Sequence, residues 1–184
     1  SANIVRAGYL YRLMKYEDNT EARGETGYAE YERHFTTQLR AIAHGGYDYN
    51  TMEEGQSLSS RWMFSLINDV DERNIITITF YKGSTISNIF NDTFNSWRVS
   101  GSLMREVGDR THADITIFYG DSVYEISRQR DRLAGASFGL SYVLTEFVNI
   151  NAGYNFTWSS IEHPDTDEVS YKRNQVYVGI SGEY

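Results

Sequence analysis

The sequence predicts an all-β protein, an antiparallel up-and-down transmembrane β-barrel of about ten strands. Three observations carry that prediction. Apolar and polar residues alternate with a period of two along most of the chain, polar connectors alternate short and long, and the tryptophans gather at one end of the strands so laid out. A period of two puts successive side chains on opposite faces of a strand. No i, i+3, i+4, i+7 apolar stripe persists, so helices are not expected.

The clearest strand is Val148 to Trp158. Val148, Ile150, Ala152, Tyr154, Phe156 and Trp158 alternate with Asn149, Asn151, Gly153, Asn155 and Thr157. At ~3.3 Å per residue it exceeds ~30 Å, which suits a tilted membrane strand better than an ordinary soluble one. Ala134 to Leu144 and Val176 to Tyr184 repeat the pattern. Earlier candidates are Val5 to Leu13, Leu39 to Tyr49, Trp62 to Leu66, Ile76 to Phe80, Trp97 to Leu103 and Ala113 to Tyr119. The segment around Gly27, Ala29 and Tyr31 runs into its successor near Thr36 with little turn chemistry.

Short turns are expected at Asn68 to Glu72, Val107 to Asp109 and Thr145-Glu146. Longer polar loops are expected at Asp18 to Gly24, Thr51 to Ser57, Gly83 to Thr93, Ser127 to Asp131 and Glu162 to Ser170. Membrane barrels have short periplasmic turns and longer outer loops. An even strand count then leaves both chain ends on the periplasmic side. On this layout Trp62, Trp97 and Trp158 fall near the outer rim with Tyr11, Tyr49 and Tyr119, as a lipid-interface girdle would. A soluble β-sandwich would alternate similarly around a dry core, with shorter strands and more Pro and Gly in its turns.

Composition fits these bounds. The chain has 184 residues, one domain's worth, with 15 Tyr, 15 Gly, a single proline (Pro164) and no cysteine. Disulfides and Cys-based metal sites are excluded. A net charge of −8 argues against nucleic acid as a partner. Mean hydropathy is −0.52, a figure that misleads for a barrel, because half of each strand faces a polar interior. No stretch approaches the ~20 apolar residues of a spanning helix. Ser1-Ala2-Asn3 leads straight into a strand with no signal peptide, which suggests a mature chain or a piece of a larger barrel.

The stretch from Arg132 to Tyr184 resembles bacterial outer-membrane β-barrels. Its last strand, with Val176, Val178, Ile180 and terminal Tyr184, is similar to the signal read by the barrel assembly machinery. The run Leu140-Ser141-Tyr142 through Ala152-Gly153-Tyr154 resembles in style the β-barrel porin 2 type proteins, some linked to exopolysaccharide export. The resemblance implies a bacterial outer-membrane location, with membrane lipid, lipopolysaccharide and the assembly machinery as partners.

The face expected to line the lumen carries Arg6, Arg12, Glu30, Glu32, His34, Arg40, His44, Asp48, Arg61, Arg98 and Asp114, with Asn149, Asn151 and Asn155 as a row of amides. Mixed charges there read either as a salt-bridged plug or as a constriction that selects small polar solutes. The amides either line a water path or satisfy one another. Arg128, Arg130 and Arg132 are candidates for lipopolysaccharide phosphates. A membrane-embedded hydrolase would need a histidine with a carboxylate. His163 beside Asp165, Asp167 and Glu168 comes nearest, without forming a recognisable motif. The acidic run from Glu162 to Glu168 lacks the spacing of a calcium loop. The expectation is a porin-like passive channel or the pore element of an export system, without catalytic residues, metal or cofactor. The alternative is a plugged structural or adhesive barrel.

Overall fold

The computed structural model describes residues 3–15, 21–52, 55–86, 92–164 and 167–182. Ten strands form one sheet: β1 (Asn3–Lys15), β2 (Glu21–His34), β3 (Leu39–Met52), β4 (Gly55–Asp71), β5 (Asn74–Ile86), β6 (Thr93–Glu106), β7 (Thr111–Tyr124), β8 (Arg130–Thr145), β9 (Val148–Glu162) and β10 (Val169–Gly182). Their order in space is their order in sequence, and every neighbouring pair is antiparallel. The up-and-down all-β architecture is therefore as expected. Closure is not. β1 and β10 are not bonded to each other, and the sheet stands open between them.

Strands run further than the side-chain pattern alone suggests. The Thr51 to Ser57 stretch, expected as a loop, is largely paired, with Thr51 opposite Gln56 and Met52 opposite Gly55. Likewise β2 begins at Glu21 and β5 continues to Ile86. Ladder bonds are made by the backbone, so a polar stretch can stay paired where alternation fades. The doubtful segment around Ala29 is a strand of 14 residues. Its turn into β3 uses hydroxyl chemistry rather than Gly or Pro: Thr36 Oγ1 accepts from the Gln38 and Leu39 amides at 3.1 and 2.9 Å. Asp71 accepts from the Arg73 amide at 2.8 Å in the β4–β5 turn, and Gly108 takes φ +75° in the β6–β7 turn. Tyr184, expected in the terminal signal, lies outside the described residues.

The register is staggered. Val5, close to the start of β1, is linked row by row through Tyr31, Ala43, Phe64, Phe80, Val99, Tyr119, Ala134 and Trp158 to Lys172, close to the start of β10. β1 and β10 run in opposite directions, so the row climbs from one end of the sheet to the other in ten strands. Tilted strands with a large cumulative stagger are the geometry that barrel closure requires.

Burial is inverted relative to a soluble protein. Among the described residues Ala22 alone is a buried hydrophobic residue, whereas Asp48, Asn50, Ser84, Asp92, Thr93 and Ser160 are all at or below 4% exposure. Accessible area is 12277 Å², against roughly 9,100 Å² for a compact monomer of this mass. The apolar face, with Val5, Trp62, Phe64, Ile78 and Ile117 each at least half exposed, packs on nothing among the described residues.

Glycines admit aromatic rings on the polar face. Tyr28 of β2 lies across Gly8 of β1, and Phe118 of β7 lies across Gly135 of β8. A Cβ at Gly135 would meet the Phe118 ring at 2.6 Å and the Phe156 carbonyl at 2.7 Å. The ring could turn away, but the carbonyl belongs to the ladder and cannot. Gly135→Ala is therefore expected to destabilise the protein by ~1–3 kcal/mol, the usual overpacking cost. Urea titration of the refolded protein reads this as a lower midpoint.

Candidate functional site: the polar face

Register and alternation put all the sequence-predicted lumen residues on one face of the sheet. The structure divides them into separate groups. The best-satisfied centres on Asp48 of β3. Its carboxylate accepts from Thr26 Oγ1 of β2 at 2.7 Å, from Arg61 Nε of β4 at 2.9 and 3.2 Å, and from the Ser84 amide of β5 at 3.2 Å. Asn50 Nδ2 donates to Ser84 Oγ at 3.2 Å. Ser84 can reach β3 because β5 pairs with β4 only as far as Lys82, opposite Trp62. Beyond that point β5 hooks over the polar face. Arg12 lines the remaining cavity, whose volume of about 10 Å³ holds no more than one water. Asp48 and Arg61 were legible as lumen residues. Thr26, Ser84 and Asn50 were not; Ser84 comes within reach only through the hook, which is invisible to alternation.

A second group lies nearer the short turns. Arg6 of β1 bridges Glu30 and Glu32 of β2, the latter at 3.0 Å, and His34 Nε2 lies 2.9 Å from Glu32. His44 stacks on Tyr28 with ring centroids 4.3 Å apart, its Nδ1 3.9 Å from Glu30. The buried His44 Nε2 and Arg40 Nε find no partner among the described residues. These six groups form one mixed ionic patch. No catalytic pairing with a nucleophile is present in it.

Asp114 of β7 lies over Gly139 of β8 and has no ion-pair partner among the described residues. The amide row is less knitted than the sequence suggested. Asn151 donates to Ser181 Oγ at 3.4 Å, while the Asn149 and Asn155 side chains make no hydrogen bond among the described residues. Amides two residues apart along one strand stand ~6.6 Å apart, too far to bond one another.

A cleft of about 350 Å³ opens over β5 to β8, lined by Tyr81, Phe94, Ser96, Arg98, Ser100 and Ser122 among others. Arg98 was expected in the lumen; the hydroxyls around it were missed. For Ser96 and Ser100 the signal is the alternate-position run Ser96, Arg98, Ser100, Ser102 along β6.

At the long-loop end two carboxylates tie strands together. Asp92 accepts from the Thr93, Ile126 and Ser127 amides at 2.7, 3.0 and 3.0 Å and from Ser127 Oγ at 2.9 Å. Glu125 accepts from Ser57 Oγ at 3.1 Å and Asn95 Nδ2 at 2.8 Å. Strands β4 and β7 are three places apart, ~14 Å on a flat sheet, so the sheet must curl toward its polar face at this end.

The apolar face carries Tyr11, Tyr49, Trp62, Trp97, Tyr119 and Trp158, all nearer the long-loop ends of their strands, with the Trp97 and Tyr119 rings 5.6 Å apart. Val176, Val178 and Ile180 are also on this face and at least three-quarters exposed. Arg130 and Arg132 are strand residues rather than loop residues. Arg130 pairs with Asp121 at 2.8 Å, and Arg132 lies 3.3 Å from Glu162 and 3.8 Å from Glu168. Their charges are already met, which weakens the case for phosphate recognition there. His163 lines a cleft with Arg128 and Glu162, while Asp165 lies outside the described residues. Among the described residues no group of three or more acidic or histidine side chains is arranged to hold a metal.

Comparison with family models, with characterised proteins and with solved structures found no match to this chain.

Two outcomes follow. Asp48→Leu removes the shared acceptor of Thr26, Arg61 and Ser84, and a loss of about 3 kcal/mol is expected from uncompensated partners in urea unfolding. Burial alone would raise the Asp92 carboxyl, but the hydrogen bonds from Ser127, Ile126 and Thr93 outweigh it and hold the group below the ordinary carboxylate range. Its stabilisation is thus complete above the unfolded value of ~3.9 and is lost only as pH falls through the lower folded value. Pepsin should leave the 125–129 segment intact at about pH 4.5 and cut it progressively below about pH 3.5, whereas Asp92→Ala should be cut at both.

Proposed function

We infer that the sheet is the wall of a bacterial outer-membrane β-barrel, and that its polar face lines a narrow, porin-like passage for small polar solutes. The observation that carries this is the inverted burial. A sheet with one buried apolar residue among those described, a tied polar face and an uncovered apolar face has no stable home in water. In a bilayer the same apolar face meets lipid, and the aromatic residues at its long-loop end meet the headgroups. The stagger of the rows supports closure.

Open strand edges are not tolerated in hydrocarbon, where each unpaired backbone group costs several kcal/mol. On this reading the edges of β1 and β10 are paired in the membrane, either with each other or with further strands. The chain has no native cysteine, so disulfide trapping distinguishes the two. Tyr9→Cys combined in turn with cysteine at Val176, Val178 or Ile180 should give an intramolecular bond in one combination if β1 meets β10. Failure of all three, with the protein inserted, points to intervening strands.

A narrow lumen fits the filled cavity beside Asp48 better than a wide open one. Passive passage rather than catalysis fits the polar face, where His34 and His44 contact carboxylates or an aromatic ring, and His112, opposite Ser141, makes no hydrogen bond to it among the described residues. Refolded into a planar bilayer, the protein should give discrete conductance steps whose charge preference shifts toward cations in Arg40→Glu. An inserted but silent protein would reject passage and leave a structural barrel.

A further inference from the structure

The cleft over β5 to β8 holds its arginine differently from the two best-tied groups of the polar face. There Arg6 meets Glu30 and Glu32, and Arg61 meets Asp48. Arg98 is exposed on this face and has no acidic partner among the described residues. Its guanidinium sits 4.7 Å above the Phe118 ring, an attraction that steadies the group without using its N–H donors. Phe118 is itself set by Gly135, and Gly120, directly opposite Arg98, adds no side chain between the strands. The floor is thus shaped to hold one guanidinium with free donors beside an open space.

Asp121 also borders that space, but it stands opposite Trp97 in register and its carboxylate is held by Arg130 at 2.8 Å. The other polar side chains there are neutral hydroxyls. Ser96, Ser100 and Ser122 share the cleft with the Tyr81 phenol. Hydroxyls both donate and accept, so they match the hydroxyls of a polyol. Tyr81 also lies 5.6 Å from Arg61, but that arginine is neutralised by Asp48 and adds no net charge. A single uncompensated cation fits a single carboxylate better than a phosphate dianion, which would want a second cation or a nest of amides. The volume of about 350 Å³ lies at the small end of the ~300–1,000 Å³ usual for small-molecule sites.

We propose that this cleft is a binding subsite for a small polyhydroxylated monocarboxylate, with Arg98 holding the carboxylate and the serine hydroxyls meeting the polyol. The inference rests on the reading of the polar face as a water-filled interior. It does not depend on passage through it.

The test is calorimetric titration of the refolded protein in detergent with gluconate, with sorbitol as its neutral counterpart of equal carbon number, and with inorganic phosphate. Gluconate should bind at least about tenfold more tightly than sorbitol, the scale of one charge-assisted hydrogen bond. Arg98→Gln should abolish that preference and Arg98→Lys should restore part of it. Ser96→Ala, folded by circular dichroism, should weaken gluconate while leaving acetate unchanged. Equal binding of gluconate and sorbitol, undiminished binding by Arg98→Gln, phosphate binding as tight as gluconate, or no binding at all would each overturn the proposal. Binding by a protein that conducts no current would uphold the subsite and reject the passage. Conductance without gluconate binding would do the reverse.

Discussion

The structure depends on lateral backbone pairing. Each strand spends its amides and carbonyls on its two neighbours, so neither face of the sheet has main-chain groups left to satisfy. Both faces are then free to take whatever chemistry their surroundings demand. Here one face became apolar and the other ionic, a choice open to a sheet whose polar backbone is already paired. Among the described residues the rows left over are the outer edges of β1 and β10 and the β5-facing side of Gly55–Arg61 in β4, and any account of the molecule in a membrane has to close the two outer edges.

What holds the polar face is a set of compact ties rather than a core. Asp48 gathers β2, β3, β4 and β5 on one carboxylate; Asp92 and Glu125 gather the long-loop ends. The groups are served individually, so the face does not fill as a uniform plug. It is tight beside Asp48, ionic around Arg6 and Glu30, and open where Arg98 stands on Phe118. Small differences in glycine placement decide which. A ring can lie flat only where the neighbouring strand lacks a side chain, and the ring in turn sets the height of whatever sits above it.

Most of the architecture was legible in the sequence, because alternation reports faces and faces are what a sheet amplifies. Every residue read as lining the lumen, from Arg6 to Asn155, does share one face. Strand ends were read less well. Gly55 and Glu21 begin strands within stretches that looked like loops, since backbone pairing outlasts side-chain pattern. Closure was not legible at all: alternation says which way a residue points, but nothing about whether the first strand meets the last. At the polar face, Asp48 and Arg61 were found, but Ser84 was missed because it reaches Asp48 only where β5 parts from β4 while staying paired with β6. The three serines of the cleft carry no charge and so drew no attention beside the arginines.

The hook at Gly83–Ser84 also constrains how the chain can reach this structure. Nearly all the pairing joins consecutive strands, a low-contact-order arrangement in which hairpins can form independently and in any order. The Asp48–Ser84 tie spans 36 residues and the Ser57–Glu125 tie spans 68. Neither can set until the strands between them are in register. They act as late checkpoints on a sheet assembled from local pieces: a hairpin that slipped by one residue would turn Asp48 to the apolar side, and the hook would find nothing to hold.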